Sequence, residues 1–262
     1  MKPLSIYQVD AFTTELFGGN PAAVVPLDTW LPNHLMQKIA MENNLAETAF
    51  IVREPEGYRI RWFTPAIEVD LCGHATLAAA FVFFTELNHS GNSISFRSAS
   101  GALKVTRNGN ELTLDFPADV LTEIPLTNGI TSAFTAKPIA AYRGKSDYMI
   151  VFSGEAEIAE MVPDIAKISE LDARGVIVTA PGTAVDFVSR FFAPRAGINE
   201  DPVTGSAHTT LTPYWAKVLA KTKLKAIQWS QRKGYLSCVD NGDRILITGE
   251  ARLYMKGNIF IP

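Results

Sequence analysis

The chain of 262 residues is 47% hydrophobic and 19% charged, the balance of a folded globular protein rather than a disordered or fibrous one. Its net charge of −3 leaves no basic footprint for nucleic acid, and its longest apolar run, Leu77 to Phe84, falls far short of the ~18 residues of a membrane span. Cys72 and Cys238 form no disulfide or zinc-ligand pattern, and Asp10 and Glu15 interrupt any signal-peptide core, so a cytoplasmic setting is expected.

In chain order, a helical pattern at about 31–43 leads into the strand-like run Thr48 to Val52 and then into Arg61-Trp-Phe-Thr-Pro65. The segment Glu68 to Ala75 passes through Gly73 into an apolar helical run, Leu77 to Leu87. Residues 94–115 read as two or three strands with a hairpin turn at Asn108-Gly109-Asn110. A stretch rich in Pro, Thr and Asn around 117–135 reads as a linker. A second helical pattern at about 163–171 precedes the strand Val176 to Thr179 and the segment Arg190-Phe-Phe-Ala-Pro194. Glu200 to Ala207 then passes through Gly205 into a helical run at Leu211 to Ala220, with Pro213 placed early in it, where proline is tolerated. Strands follow at Gly234 to Val239 and Arg244 to Met255, around an Asn241-Gly242-Asp243 turn.

The second half thus answers the first. From Arg61 to Arg190 the offset is 129 residues, and from Glu68 to Glu200 it is 132, a three-residue insertion near Arg195 to Asn199 accounting for the difference. Two copies predict two similar domains, not a solenoid, which needs three or more units. Short strands with single helices between them predict an α+β fold. The expected division is 1–117, completed by a C-terminal strand at 250–262, and 118–249, with the active site in a cleft between the halves.

In each half a glycine, Gly73 or Gly205, opens a helix whose free N–H groups and partial positive charge suit a carboxylate or an enolate-like oxygen. His74 and Ser206 stand at matched positions, with Asp70 and Asp201 shortly before. Each has a plainer reading: Ser206 as a cap, Asp70 and Asp201 as turn residues, Glu200 as a solvated charge. A base is still needed. Glu47, just before an apolar strand, would be partly desolvated, as suits a carboxyl group that takes and returns a proton. The matching stretch Asp172-Ala-Arg-Gly175 offers no clear carboxylate partner, so the base is expected on one side only.

FGGNPAAVV (17–25), AETAF (46–50), RWFTPAIEVDLCGHATLAAA (61–80), RFFAPRAGINEDPVTGSAH (190–208) and WSQRKG (229–234) together resemble the PhzF-like, phenazine-biosynthesis family. The resemblance implies the diaminopimelate epimerase-like fold, two pseudo-symmetric domains each with a β-barrel-like sheet wrapped around a central helix, and a homodimer. It implies a cofactor-independent isomerase acting on a small carboxylated substrate, with no metal. Glu47 would be the proton shuttle, with His74 and Asp201 also catalytic, and Asn20, Gly73, His74, Ala75, Gly205 and Ser206 would bind substrate. Related epimerases use a cysteine in each half, whereas this chain has Cys72 in one and Thr204 in the other. Threonine cannot serve as a thiolate base, so Cys72 is read as packing. Two rival expectations are an amino-acid epimerase or racemase that pairs Cys72 with another group, and a small-molecule-binding protein without catalysis.

Overall fold

The computed structural model describes residues 2–55 and 57–261. The chain divides into two compact units, Met1–Asp115 with Thr248–Pro262, and Phe116–Ile247. The C-terminal segment belongs to the first unit because the strand Ala251–Ile261 lies antiparallel to Lys2–Ala11 over that strand's whole length, with one register shift between Gln8 and Val9.

In the first unit, Lys2–Ala11 also pairs antiparallel with Asn20–Leu27, which runs parallel to Glu47–Glu54. Glu47–Glu54 is antiparallel to Gly57–Phe63, and Gly57–Phe63 is parallel to Ser93–Ser98. A parallel pair requires a crossover, and the helix Gly73–Thr85 lies in it. All of that helix except Phe81 and Thr85 is buried, as expected of a helix that is apolar on every side. It packs against the strands Lys2–Ala11, Asn20–Leu27, Glu47–Glu54 and Ala251–Ile261. The strands Ser93–Ser98, Gly101–Asn108 and Glu111–Pro117 continue as antiparallel neighbours through the turn at Gly109.

The second unit repeats this order strand for strand. Ala140–Arg143 is antiparallel to Asp147–Val151, which is parallel to Gly175–Pro181. Gly175–Pro181 is antiparallel to Phe187–Phe192, and Phe187–Ser189 runs parallel to Ala226–Gln228 after the helix Gly205–Leu219. Lys223–Gln228 then lies antiparallel to Gly234–Asn241. The fold is α+β, with one long helix set into the strands of each unit. In the second, Trp215 stacks on Phe187 and donates its indole N–H to Thr179 Oγ1 at 2.9 Å.

Two expectations are corrected. The second long helix starts at Gly205, so Pro213 lies in mid-helix rather than near its start. Proline has no N–H to give to Thr209, four residues earlier, and the backbone N–H of Asp119 takes the Thr209 carbonyl instead, at 3.2 Å. The stretch 117–135 is not a bare linker. It holds the strand Thr122–Ile124, paired with Ala141–Arg143, and the short helix Asn128–Thr131, whose Ile130 is buried. Among the described residues no helix is long and apolar enough to cross a membrane.

Candidate functional site

Glu47 is the first residue of its strand and His74 the second of its helix. The strand order of the first unit brings the two together: Oε2 of Glu47 lies 3.0 Å from Nε2 of His74. Glu47 is 8% exposed and His74 4%. The contact is at ion-pair distance but lacks the alignment of a hydrogen bond, so among the described residues neither atom has a hydrogen-bond partner. Two buried polar atoms with unused bonding capacity are costly in a core and are expected where a ligand completes the bonding.

The other face of the His74 ring is occupied. Nδ1 lies 3.1 Å from Nδ2 of Asn20 and 3.6 Å from the sulfur of Cys72. Asn20, assigned above to substrate binding, is fully buried and holds the imidazole. Gly19 places it: its φ is +60°, and any side chain there would strike the Ala11 carbonyl, so only glycine brings the chain round into the strand at Asn20. Cys72, read above as packing, is the residue before the helix and lines the site. Burial, with the Glu47 charge beside it, pushes its thiol up to about 11, so it is protonated at neutral pH. Burial disfavours charge on His74, but the Glu47 carboxylate beside Nε2 outweighs it and holds the ring above its usual value. The backbone N–H of Ala75 is engaged by Cys72, and Gly73 is the buried first residue of the helix.

Glu47, Cys72 and His74 put donor atoms within 4.8 Å of one another, a grouping that sequence spacing does not show. Cys72 and Glu47 approach opposite nitrogens of the ring. An ion at either nitrogen would have one of them as its near neighbour, and the arrangement reads as a polar chain, thiol to imidazole to carboxylate, rather than a metal cage.

The register identifies the counterpart of Glu47 in the second unit. Thr48 faces Phe63 as Val176 faces Phe192, so Glu47 corresponds to Gly175. A side chain at Gly175 would run into the ring of Phe191. The preceding residue, Arg174, pairs through two nitrogens with Asp147, at 2.9 and 2.5 Å, and reaches Oγ of Ser206 at 3.3 Å. Burial disfavours the guanidinium charge, yet Asp147, then Asp201 and Asp119, raise its pKa. Ser206 does not cap the helix; Thr204 is the residue before Gly205. Where the first unit sets a carboxylate against the second helical residue, the second unit sets a guanidinium.

Asp201 is buried and accepts the Thr204 hydroxyl at 2.5 Å. Gln228 was missed from sequence. Its Oε1 accepts the Thr204 N–H and its Nε2 donates to the Asp201 carbonyl, each at 2.8 Å. The available signal was a glutamine at an inward position of an alternating strand. Asp70 is exposed, with its carbonyl accepting the Ser100 hydroxyl. Glu200, expected to be solvated, is instead held by Arg190 through two bonds at 2.7 and 3.0 Å, as Glu68 is by Arg61 at 2.7 and 2.6 Å. The repeated Arg and Glu are therefore partners within each unit.

A family model described as phenazine biosynthesis-like protein (PhzC-PhzF) matches residues 9–257. A Pseudomonas aeruginosa protein that bears the name uncharacterized isomerase is 49% identical over 258 residues, covering 98% of this chain and 99% of its own. The crystal structure of a PhzF-family protein from Enterococcus faecalis is similar with a TM-score of 0.96 at 48% identity, covering 99% of this chain and all of that one. A hydroxyproline epimerase from Agrobacterium vitis shares the fold at 7% identity, with a TM-score of 0.65 over 98% of this chain and 92% of its own.

Proposed function

The chain belongs to the phenazine biosynthesis-like (PhzC-PhzF) family, and on that premise we propose that it is an isomerase that relocates a proton on a small, carboxylated, cyclic carbon acid. The carboxylate of Glu47 takes the proton from one carbon. The electron pair left behind spreads onto the substrate's own unsaturated or carboxylate system, and the Glu47 carboxyl returns the proton to another carbon. One proton is taken and one returned, so the step balances without an oxidant or reductant.

The observation that carries this reading is the buried pair Glu47 Oε2 and His74 Nε2, 3.0 Å apart with no hydrogen bond completed at either atom. A carboxylate with a free lone pair can accept a proton, and an imidazole beside it can donate to the charge that develops. The proposal rests on these first-unit residues alone. An epimerase using Cys72 as a base is less well supported, because its thiol is pushed up to about 11 and Thr204 occupies the matching place.

The test is proton exchange. A panel of cyclic amino and hydroxy acids is incubated with the protein in deuterium oxide and read by mass spectrometry. Wild type should label at least one of them, Glu47→Gln should lower the rate by at least ~10²-fold, and Cys72→Ser should keep most of it. Undiminished exchange in Glu47→Gln would falsify the shuttle. Binding of a panel compound without exchange would favour a binding protein.

A further inference from the structure

Imidazole carries either one proton or two, and its neighbours decide which nitrogen holds the single one. The titratable groups facing His74 are Glu47, from the neighbouring strand, and Cys72, at the start of its own helix. The thiol can donate or accept and so does not choose between the nitrogens, whereas the Glu47 carboxylate, 3.0 Å from Nε2, can only accept and favours a proton there. Asn20 makes the same choice from the other nitrogen. An amide Nδ2 can only donate, and it stands 3.1 Å from Nδ1 in a place with no exposure at all.

We propose that Asn20 is a positioning residue that keeps Nδ1 of His74 bare, so that the proton of the neutral ring sits on Nε2, facing Glu47. This rests on the reading of Glu47 as the base and adds a division of labour to it. With Nε2 always protonated, His74 can donate beside Glu47 but cannot compete with it for the substrate's proton. A second proton, on Nδ1, would set two donors against each other unless the amide turned over to present Oδ1. Asn20 therefore opposes the pull of the Glu47 carboxylate toward a doubly protonated ring. The side chain is fixed for this task from both sides: Gly19 admits no other residue before it, and Pro21 after it enters the strand paired with Asp10.

The chain has four histidines, so the ring nitrogens can be followed by 15N NMR across a pH titration, the His74 signals being those lost in His74→Gln. In wild type, the neutral His74 ring should show a pyridine-type Nδ1 and a pyrrole-type Nε2. Asn20→Asp puts an acceptor at Nδ1 and should raise the titration midpoint by at least one pH unit; Asn20→Ala should raise it less and weaken the tautomer preference. Three results would each overturn the proposal. One is a neutral wild-type ring with its proton on Nδ1. Another is a wild-type ring that stays doubly protonated to pH 9. The last is a tautomer and midpoint unchanged in both variants. The wild-type measurement stands even if a variant fails to fold. No substrate enters the experiment, so loss of the tautomer assignment would leave the Glu47 exchange test untouched, and the reverse holds too.

Discussion

Gln228 clamps Thr204 from both sides of its amide: Oε1 takes the Thr204 N–H at 2.8 Å while Nε2 reaches the Thr204 hydroxyl at 3.2 Å. The same Nε2 holds the Asp201 carbonyl, and the Thr204 hydroxyl holds the Asp201 carboxylate. The turn that delivers the chain into the Gly205 helix is thus tied to a strand that comes after the helix.

Gln228→Ala removes that tie and leaves a buried N–H and a buried carbonyl without their partners. Each such loss costs ~1–3 kcal/mol, so the variant should be destabilised by roughly 2–4 kcal/mol in urea unfolding. A loss below about half a kcal/mol would show that the clamp is dispensable.

His208 gives the second unit a sensitivity to acid. Its Nδ1–H donates to the Thr204 carbonyl at 2.9 Å, and burial lowers its pKa from 6.5 to about 4. The unfolded chain therefore binds more protons than the folded one between those values. The stability linked to His208 is complete above pH 6.5 and is lost as the pH falls toward 4. The linked free energy is roughly 3 kcal/mol. Urea midpoints measured from pH 7 down to pH 4.5 should fall less steeply in His208→Leu than in wild type, whatever the variant's stability at pH 7.

Both thiols should be inert in the folded protein. Burial, with Glu47, holds Cys72 up at about 11, and burial holds Cys238 up at about 12, so almost no thiolate is present at pH 8 and neither sulfur is open to a reagent. Ellman's reagent should release nothing from native protein and label both cysteines after unfolding in urea. Fast labelling of Cys72 in the native state would revive it as a candidate base.

Gly175 should reject even a methyl group. Phe191 lies over it, and Arg174 lies over the same ring, its Cζ 5.7 Å from the centroid. Gly175→Ala should destabilise by ~1–3 kcal/mol through overpacking, and Phe191→Leu added to it should recover part of that loss. Additive losses in the double variant would show that the two positions do not collide.

Much of this arrangement could be read from residues alone because its signals are local. The repeated Arg-aromatic-Phe and Gly-x-Ala segments mark the corresponding strands and both helix starts, and an acidic residue ahead of an apolar strand marks Glu47. The rest depends on chain segments meeting from far apart. Nothing in the spelling of Glu200 shows that Arg190 will close on it, since a charge in a turn looks the same whether solvated or paired. Pro213 looks like a helix-start residue until Asp119 is known to supply the missing donor. Asn20 reads as a ligand contact within a motif, and only the meeting of its strand with the Gly73 helix shows that it also touches an imidazole.

The collision between Gly175 and Phe191 also limits what this scaffold can become. Position 175 is the register counterpart of Glu47, and an acidic side chain placed there arrives against an occupied ring. A smaller residue at 191 without the acid leaves only a gap, so the second unit can take a carboxylate at this place only through two changes made together, the first of which costs stability.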